Sequence, residues 1–327
     1  MVGKQMKTTP VLFNNRDGYK LYGIYEQPEH TSSNTTVLLL SPGVKMRVGP
    51  HRLYNKLSKQ LVDHGVNVFR FDFFGLGDSE GVIEESVLKD VYNTILDGRF
   101  IGDTVDAMNW LENNQGQNQF ILGGLCGGAL TGLLTACEDE RVTGLLALGL
   151  INVFEGGEDN FGKFVTEGQL SSLKDGYIKK LTDINSWKRL LTFKSDFRVI
   201  FKILLKPLRK LTSSVKAGKS EESEVTLPKA LQGSNVNPKF APSFFKMLKD
   251  SKKMLLIFSG ADRLLWEFEE KFENIYKKKL KQYKGSYQVH TIPEANHILA
   301  SRDWEASVYE YVDDWLSKNY PNAQSSK

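Results

Sequence analysis

The sequence predicts an α/β protein built on a mostly parallel central sheet, with helices on both faces and an inserted helical cap. Three observations predict it. Short unbroken apolar runs such as "TTVLLLS" and "NQFILGG" suit strands buried on both faces. They alternate with amphipathic runs of helical spacing at a pitch that implies right-handed βαβ crossovers. Between about Val153 and Ser251 the alternation stops, and afterwards it resumes.

The elements follow in order. "TTPVLFNN" and "YKLYGIYEQP" flank Asp17-Gly18 and read as a hairpin, because Asp-Gly favours hairpin geometry. "TTVLLLS" is a buried strand stopped by Ser41-Pro42-Gly43. "LYNKLSKQLVDHG" places Leu53, Leu57 and Leu61 on one helical face and closes at Gly65. "VNVFRFD", "NQFILGG" and "VTGLLALGL" are further strands, with "DTVDAMNWLENN" and "ALTGLLTACEDE" as the helices around them. After the break come "KKMLLIFSG", the helical "FEEKFENIYKKKLKQY", the strand "SYQVHTI" and a last helix carrying Trp304, Val308, Val312 and Trp315 on one face. The predicted organisation is a sheet core over residues 1–152, a helical cap over 153–245 and the rest of the core over 246–327.

At 327 residues, 40% hydrophobic and 25% charged, the composition is that of an ordinary soluble chain. The N-terminal "MVGKQMKTTP" has no apolar core of a signal peptide, and no run approaches 18 uncharged apolar residues. A reduced, cytoplasmic setting is the expectation. Two cysteines, Cys126 and Cys137, make neither a disulfide framework nor a zinc site, so no metal or other cofactor is expected. The net charge of +4 is uneven. Residues 161–220 hold 14 Lys or Arg against 4 Asp or Glu, which is +10 and leaves −6 for the remainder. Within this segment Arg198, Lys202, Lys206 and Arg209 recur at helical spacing among apolar residues, and Pro207 ends or kinks the run.

The chemistry centres on "GGLCGG". Gly124-Leu125-Cys126-Gly127-Gly128 is G-x-C-x-G, the cysteine form of the nucleophile elbow, in which a strand turns sharply into a helix and exposes its apex residue. Side chains two residues either side of the apex would collide, which Gly124 and Gly128 prevent. Two other readings compete. Gly-rich strand-to-helix turns also cradle phosphates, but this one lacks the Gly-Lys-Ser/Thr ending of a P-loop and the frame of a dinucleotide fingerprint. Alternatively, Cys126 fills space as buried cysteines do.

A nucleophilic thiol needs a base and a group that orients it. Of five histidines, His30, His64 and His290 read as surface or core positions. His51, in "VGPHRLY", follows the first parallel strand and is placed to line a site. His297 lies between the last strand and the last helix, at the carboxyl edge where sheet enzymes hold ligands. Asp262 occupies the same edge one strand earlier, where a helix N-cap is the competing role.

The whole chain resembles the α/β-hydrolase superfamily. The order Cys126, Asp262, His297 matches that family's nucleophile, acid and base. "FRFDFFGLGDSEG" resembles its D-x-x-G-x-G-x-S segment at Asp72, Gly75, Gly77 and Ser79, which is structural there, so neither Asp72 nor Asp78 is a catalytic candidate. "LLLSPGVKMRVGPHRLY" resembles the loop that supplies one oxyanion N–H, here Val44 or its neighbour, with Gly127 supplying the other. Lys45, His51 and Arg52 of this loop are candidate substrate contacts. The "SPG…GPHRLY" and "GLCGG" segments resemble the exosortase-associated, peptidase-like and acylglycerol-lipase-like branch. Cysteine replaces the usual serine, as it does in dienelactone hydrolases.

The resemblance implies acyl transfer through a thioester intermediate, with esters, lactones and thioesters ranked above peptides. Acyl hydrolase, acyltransferase or cyclase, and a non-catalytic binding protein on the same fold are the three expectations. The expected partner is a small acyl substrate, free or carried on an acyl carrier protein or coenzyme A. The basic insertion reads as a plain cap, as a lid for an anionic substrate, or as a peripheral membrane contact. Nucleic acid is not expected, since no binding module accompanies the charge.

Overall fold

A computed structural model describes residues 6–29, 33–155, 228 and 231–321. The predicted hairpin is formed by β1 (Met6–Asn14) and β2 (Lys20–Pro28), in antiparallel register from Met6 opposite Pro28 to Asn14 opposite Lys20. Gly18 takes φ 85° in its turn, a conformation that glycine adopts without penalty. β2 then pairs antiparallel with β4 (Asn67–Phe71). From β4 onward the sheet is parallel, running through β3 (Thr35–Leu40), β5 (Gln119–Leu125), β6 (Val142–Leu148), β7 (Lys253–Ser259) and β8 (Tyr287–Ile292). The eight-strand order is β1-β2-β4-β3-β5-β6-β7-β8.

The apolar runs are explained by helices on both faces. Leu38 and Leu40 of β3 point into one core and Val37 and Leu39 into the other, because successive side chains of a strand face opposite sides. All four are fully buried, each burial being worth about 1.5–3 kcal/mol relative to exposure. The first core is covered by α2 (Leu88–Asp97), α3 (Ile101–Gln115), α4 (Gly127–Ala136) and α5 (Phe240–Lys249). The second is covered by α1 (Leu53–His64), with Leu53, Leu57 and Leu61 buried, and by α8 (Arg302–Asn319), with Val308, Val312 and Trp315 buried.

Two elements differ from expectation. α2 is not among the predicted helices; its N-cap, Val87, offers no capping side chain, and Val87 and Leu88 are exposed, so its start carries no signal. The helix expected from Phe268 starts earlier, as α6 (Arg263–Phe268). It passes through a π turn at Glu269–Glu273 into α7 (Asn274–Leu280).

The chain divides into two compact units, Met1–Phe164 with Val225–Lys327, and Val165–Glu224. The second unit and the basic segment, on which the amphipathic helix was expected, lie outside the described residues, as does His30. The described flanks of the insertion meet. Val153 bridges Val236, Phe154 N donates to Asn235 O at 2.7 Å, and Asn237 N donates to Asn152 O at 2.9 Å. The boundary expected at residue 245 falls within α5. Among the described residues no helix is long and apolar enough to cross a membrane.

Candidate active site

Between the last residue of β5 and the first of α4 stands Cys126, at φ 56° and ψ −115°. An L-residue rarely adopts this conformation, and holding it costs about 1–3 kcal/mol. The surrounding backbone imposes it: Cys126 N donates to Leu148 O at 2.9 Å, and Leu130 N donates to Cys126 O at 3.1 Å. The glycines act as the sequence suggests, though against different neighbours. A Cβ at Gly124 would stand 2.6 Å from Gly128 C, whereas one at Gly128 would stand 2.4 Å from Leu40 O, at the end of β3.

Tyr54 adjoins the elbow. The hydroxyl of Tyr54, fully buried, donates to Leu40 O at 2.8 Å and accepts from Leu125 N at 2.7 Å. It therefore ties the ends of β3 and β5 together next to Cys126. In the sequence an aromatic residue beside Leu53 and Leu57 reads only as core.

His297 and Asp262 reach the same place from the next two loops. Gly260 N donates to Ile292 O at 2.9 Å and Ala261 N to Ala295 O at 3.0 Å, so the loops after β7 and β8 are zipped together. His297 Nδ1 bonds Asp262 Oδ2 at 2.6 Å, and Cys126 is near enough to the ring to favour its protonated form. Asp262 also serves as the N-cap of α6, its Oδ1 accepting from Leu264 N. Asp262 is buried, whereas the His297 side chain is 42% exposed on the open side. The hydrogen bond to Asp262, then the nearby Cys126, push the His297 imidazole up to about 10, against the opposing effect of burial. Both neighbours favour the charged imidazolium over the neutral ring.

The loop after β3 faces the start of α4. A Cβ on Gly127 would meet Gly43 Cα at 3.3 Å and Gly43 N at 3.4 Å, so Gly43-Val44 and Gly127 lie side by side. The N–H of Gly127 belongs to the first turn of α4, where helix amides have no partner inside the helix. Asp72, fully buried, holds this loop from the other side. It accepts from Arg47 N at 2.6 Å and from Asp78 N at 3.1 Å, and it ion-pairs with Arg47. Asp72 is thus engaged in structure, as the family segment implied.

The other candidates separate. His51 Nε2 bonds Ile298 O at 2.6 Å, and its Nδ1 lies 3.1 Å from Glu305 Oε1 on α8. It braces the loop that carries His297 rather than facing Cys126. Lys45 and Arg52 are exposed, and neither bonds to the Cys126–His297–Asp262 group. Of the remaining histidines, His64 pairs with Asp313, and the His290 ring stacks on Tyr311 at 4.1 Å. Cys137 is buried and free. It bonds Leu134 O and the Ser243 hydroxyl, and burial pushes its thiol up.

A polar rim completes the site. Arg263, directly after Asp262, pairs with Glu155 and lies 3.3 Å from Glu267 Oε1; Glu155 N in turn donates to Asn93 Oδ1 of α2 at 3.1 Å. Burial pushes the Glu267 carboxyl up, opposed by Arg263.

No family model matches the chain, and no curated protein matches it. Solved structures do. The chain is similar over 97% of its length to an esterase of Pyrococcus furiosus, covering 95% of that chain at 16% identity with a TM-score of 0.54. Over 96% it is similar to a dienelactone hydrolase from Anabaena variabilis, covering 98% of that chain at 13% identity with a TM-score of 0.52. An α/β hydrolase from Penicillium matches over 96% of this chain and 99% of its own, at 16% identity and a TM-score of 0.52. With the mostly parallel eight-stranded sheet, these likenesses show that the chain has the α/β-hydrolase fold.

Proposed function

We propose that the protein is an acyl hydrolase that acts on ester or thioester bonds through Cys126, His297 and Asp262. The carrying observation is one geometry. Cys126 sits at φ 56° on the strand-to-helix turn, near a histidine whose protonated form it favours and whose Nδ1 is 2.6 Å from a buried carboxylate. Thiolate rather than thiol is the nucleophile, and an imidazolium beside the sulfur favours it. Sulfur bonds to the acyl carbon while the carbonyl π pair moves to oxygen, and the N–H groups of Gly127 and Val44 receive that charge. When the carbonyl re-forms, the leaving alkoxide or thiolate takes the proton from His297. The acyl group is left as a thioester on Cys126, which water, deprotonated by His297, hydrolyses. Asp262 holds the imidazole in the productive tautomer.

Likeness to an esterase and a dienelactone hydrolase supports esters or lactones as donors. Cysteine itself favours thioesters, because exchange of one thioester for another is nearly isoenergetic. An acyl donor carried on coenzyme A or an acyl carrier protein therefore belongs to the same proposal. The second reading is acyl transfer or cyclisation on the same residues, favoured by the readiness of a thioester to react with amines and thiols. Partition of the loaded enzyme between water and an added amine separates the two, with water-only products counting for hydrolysis.

The test is Cys126→Ala assayed against activated acyl esters. The variant is expected to lose roughly 10⁴-fold or more in kcat. Turnover by the variant at the wild-type rate would sink the proposal, whereas no turnover and no acyl adduct in either protein would leave a binding protein on a hydrolase fold.

A further inference from the structure

Helix α2 brings a phenol to the same site. Tyr92 packs its ring on the loop after β3: a Cβ on Gly43 would stand 2.7 Å from Tyr92 Cε1 and 3.5 Å from Cζ, the carbon that bears the hydroxyl. Gly43 also takes φ +59°, so both its conformation and its neighbour require glycine. Gly43 is also close to Gly127, whose absent Cβ would meet Gly43 Cα at 3.3 Å and Ile95 Cγ2 at 3.3 Å. Ile95 is three residues after Tyr92, on the same face of α2. One helix face therefore touches both strands of backbone that frame the space beside Cys126, with Tyr92 against Gly43 and Ile95 against Gly127.

The hydroxyl of Tyr92 is not consumed elsewhere. The ring is half-buried, and among the described residues its hydroxyl has no hydrogen-bond partner. Burial, then the proximity of Cys126 and Glu155, push the phenol up from its ordinary value. The group is therefore a proton-bearing donor at neutral pH, within the electrostatic reach of the reacting sulfur.

We propose that the Tyr92 hydroxyl is a catalytic donor to the oxyanion, a third hydrogen bond beside the N–H groups of Gly127 and Val44. This rests on the acyl-transfer reading. As sulfur bonds to the acyl carbon and the carbonyl π pair moves to oxygen, the phenol O–H points at that oxygen. It keeps its proton throughout, and the pair returns to re-form the carbonyl when the leaving group departs with the proton from His297. A phenol held in place before the reaction strengthens its hydrogen bond as charge develops, which lowers the barrier rather than merely tightening substrate binding.

Tyr92→Phe tests this, because phenylalanine retains the ring that Gly43 packs against and removes only the hydroxyl. With p-nitrophenyl butyrate as probe, kcat/KM is expected to fall about 10²-fold, nearly all of it in kcat. A second measurement separates oxyanion stabilisation from help to the thiol. Alkylation of Cys126 by iodoacetamide uses the same sulfur but forms no oxyanion, so its rate in Tyr92→Phe is expected to equal that of the wild type. If the variant hydrolyses the ester as fast as the wild type, the proposal is overturned. It is equally overturned if alkylation slows in parallel with hydrolysis, since Tyr92 then acts on the thiol or the fold. A wild-type protein that takes no acyl group on Cys126 overturns the acyl-transfer reading and this proposal together. One that is acylated, with a variant acylated just as fast, overturns this proposal alone.

Discussion

His297 carries the strongest electrostatic perturbation in the site, and its neighbours explain it. The Asp262 carboxylate at 2.6 Å and the Cys126 sulfur both favour the imidazolium, lifting the group from its ordinary 6.5 to about 10. A group whose folded value lies above its unfolded one contributes stability that is fully present below pH 6.5 and is lost as the pH rises through 10. Two outcomes are expected. NMR of the His297 ring protons titrates near pH 10 in the wild type, and Asp262→Asn moves the transition down toward the ordinary histidine range. The stability of the wild type also falls over this window more than that of the variant. A ring that titrates near 6.5 in both proteins would contradict the pairing. At this scale the sequence was informative where chain order carried meaning, as for Cys126, Asp262 and His297. It was silent where a partner lies far along the chain. The bond of His51 to Ile298 and its pairing with Glu305 on α8 cross about 250 residues, and nothing local to "VGPHRLY" points to them.

The elements hold the elbow by close approach. β3 ends against the first turn of α4, with Leu40 O where a Gly128 side chain would stand. Gly128→Ala is therefore expected to cost about 1–3 kcal/mol in urea unfolding, the usual cost of forcing an extra methyl into a packed backbone contact. Unchanged stability would mean that the strand and helix are looser than this geometry. Tyr54 ties the same strand ends through one hydroxyl, and Tyr54→Phe leaves Leu125 N–H and Leu40 O short of a partner. A loss of about 1–3 kcal/mol in the same assay is expected. The strands were legible because burial on two faces writes an unbroken apolar run, and α1 and α8 because amphipathic spacing writes a stripe. α2 was not, since its start is exposed and uncapped. With it went Tyr92, while Tyr54 was hidden for another reason. A tyrosine in a helix shows its apolar ring to the pattern and conceals the polar tip that matters here.

At the scale of the whole molecule, the sheet delivers each group to one edge. β3 brings the Gly43-Val44 loop, β5 the elbow, β7 Asp262 and β8 the His297 loop, and the six parallel strands end on the same side. The insertion leaves and rejoins this core at the Val153–Val236 bridge, between β6 and β7. The +10 charge of residues 161–220 was plain in the sequence, whereas its partner is not written in composition, because an anionic substrate and an anionic surface ask for the same lysines. The central claim is that Cys126 accepts an acyl group. Intact-protein mass spectrometry of the wild type and of Cys126→Ala, after incubation with acyl esters, lactones and thioesters, tests it most directly. The account predicts a single acyl adduct on the wild type that maps to Cys126, with none on the variant. Substrate turnover by both proteins, with no adduct on either, would contradict it.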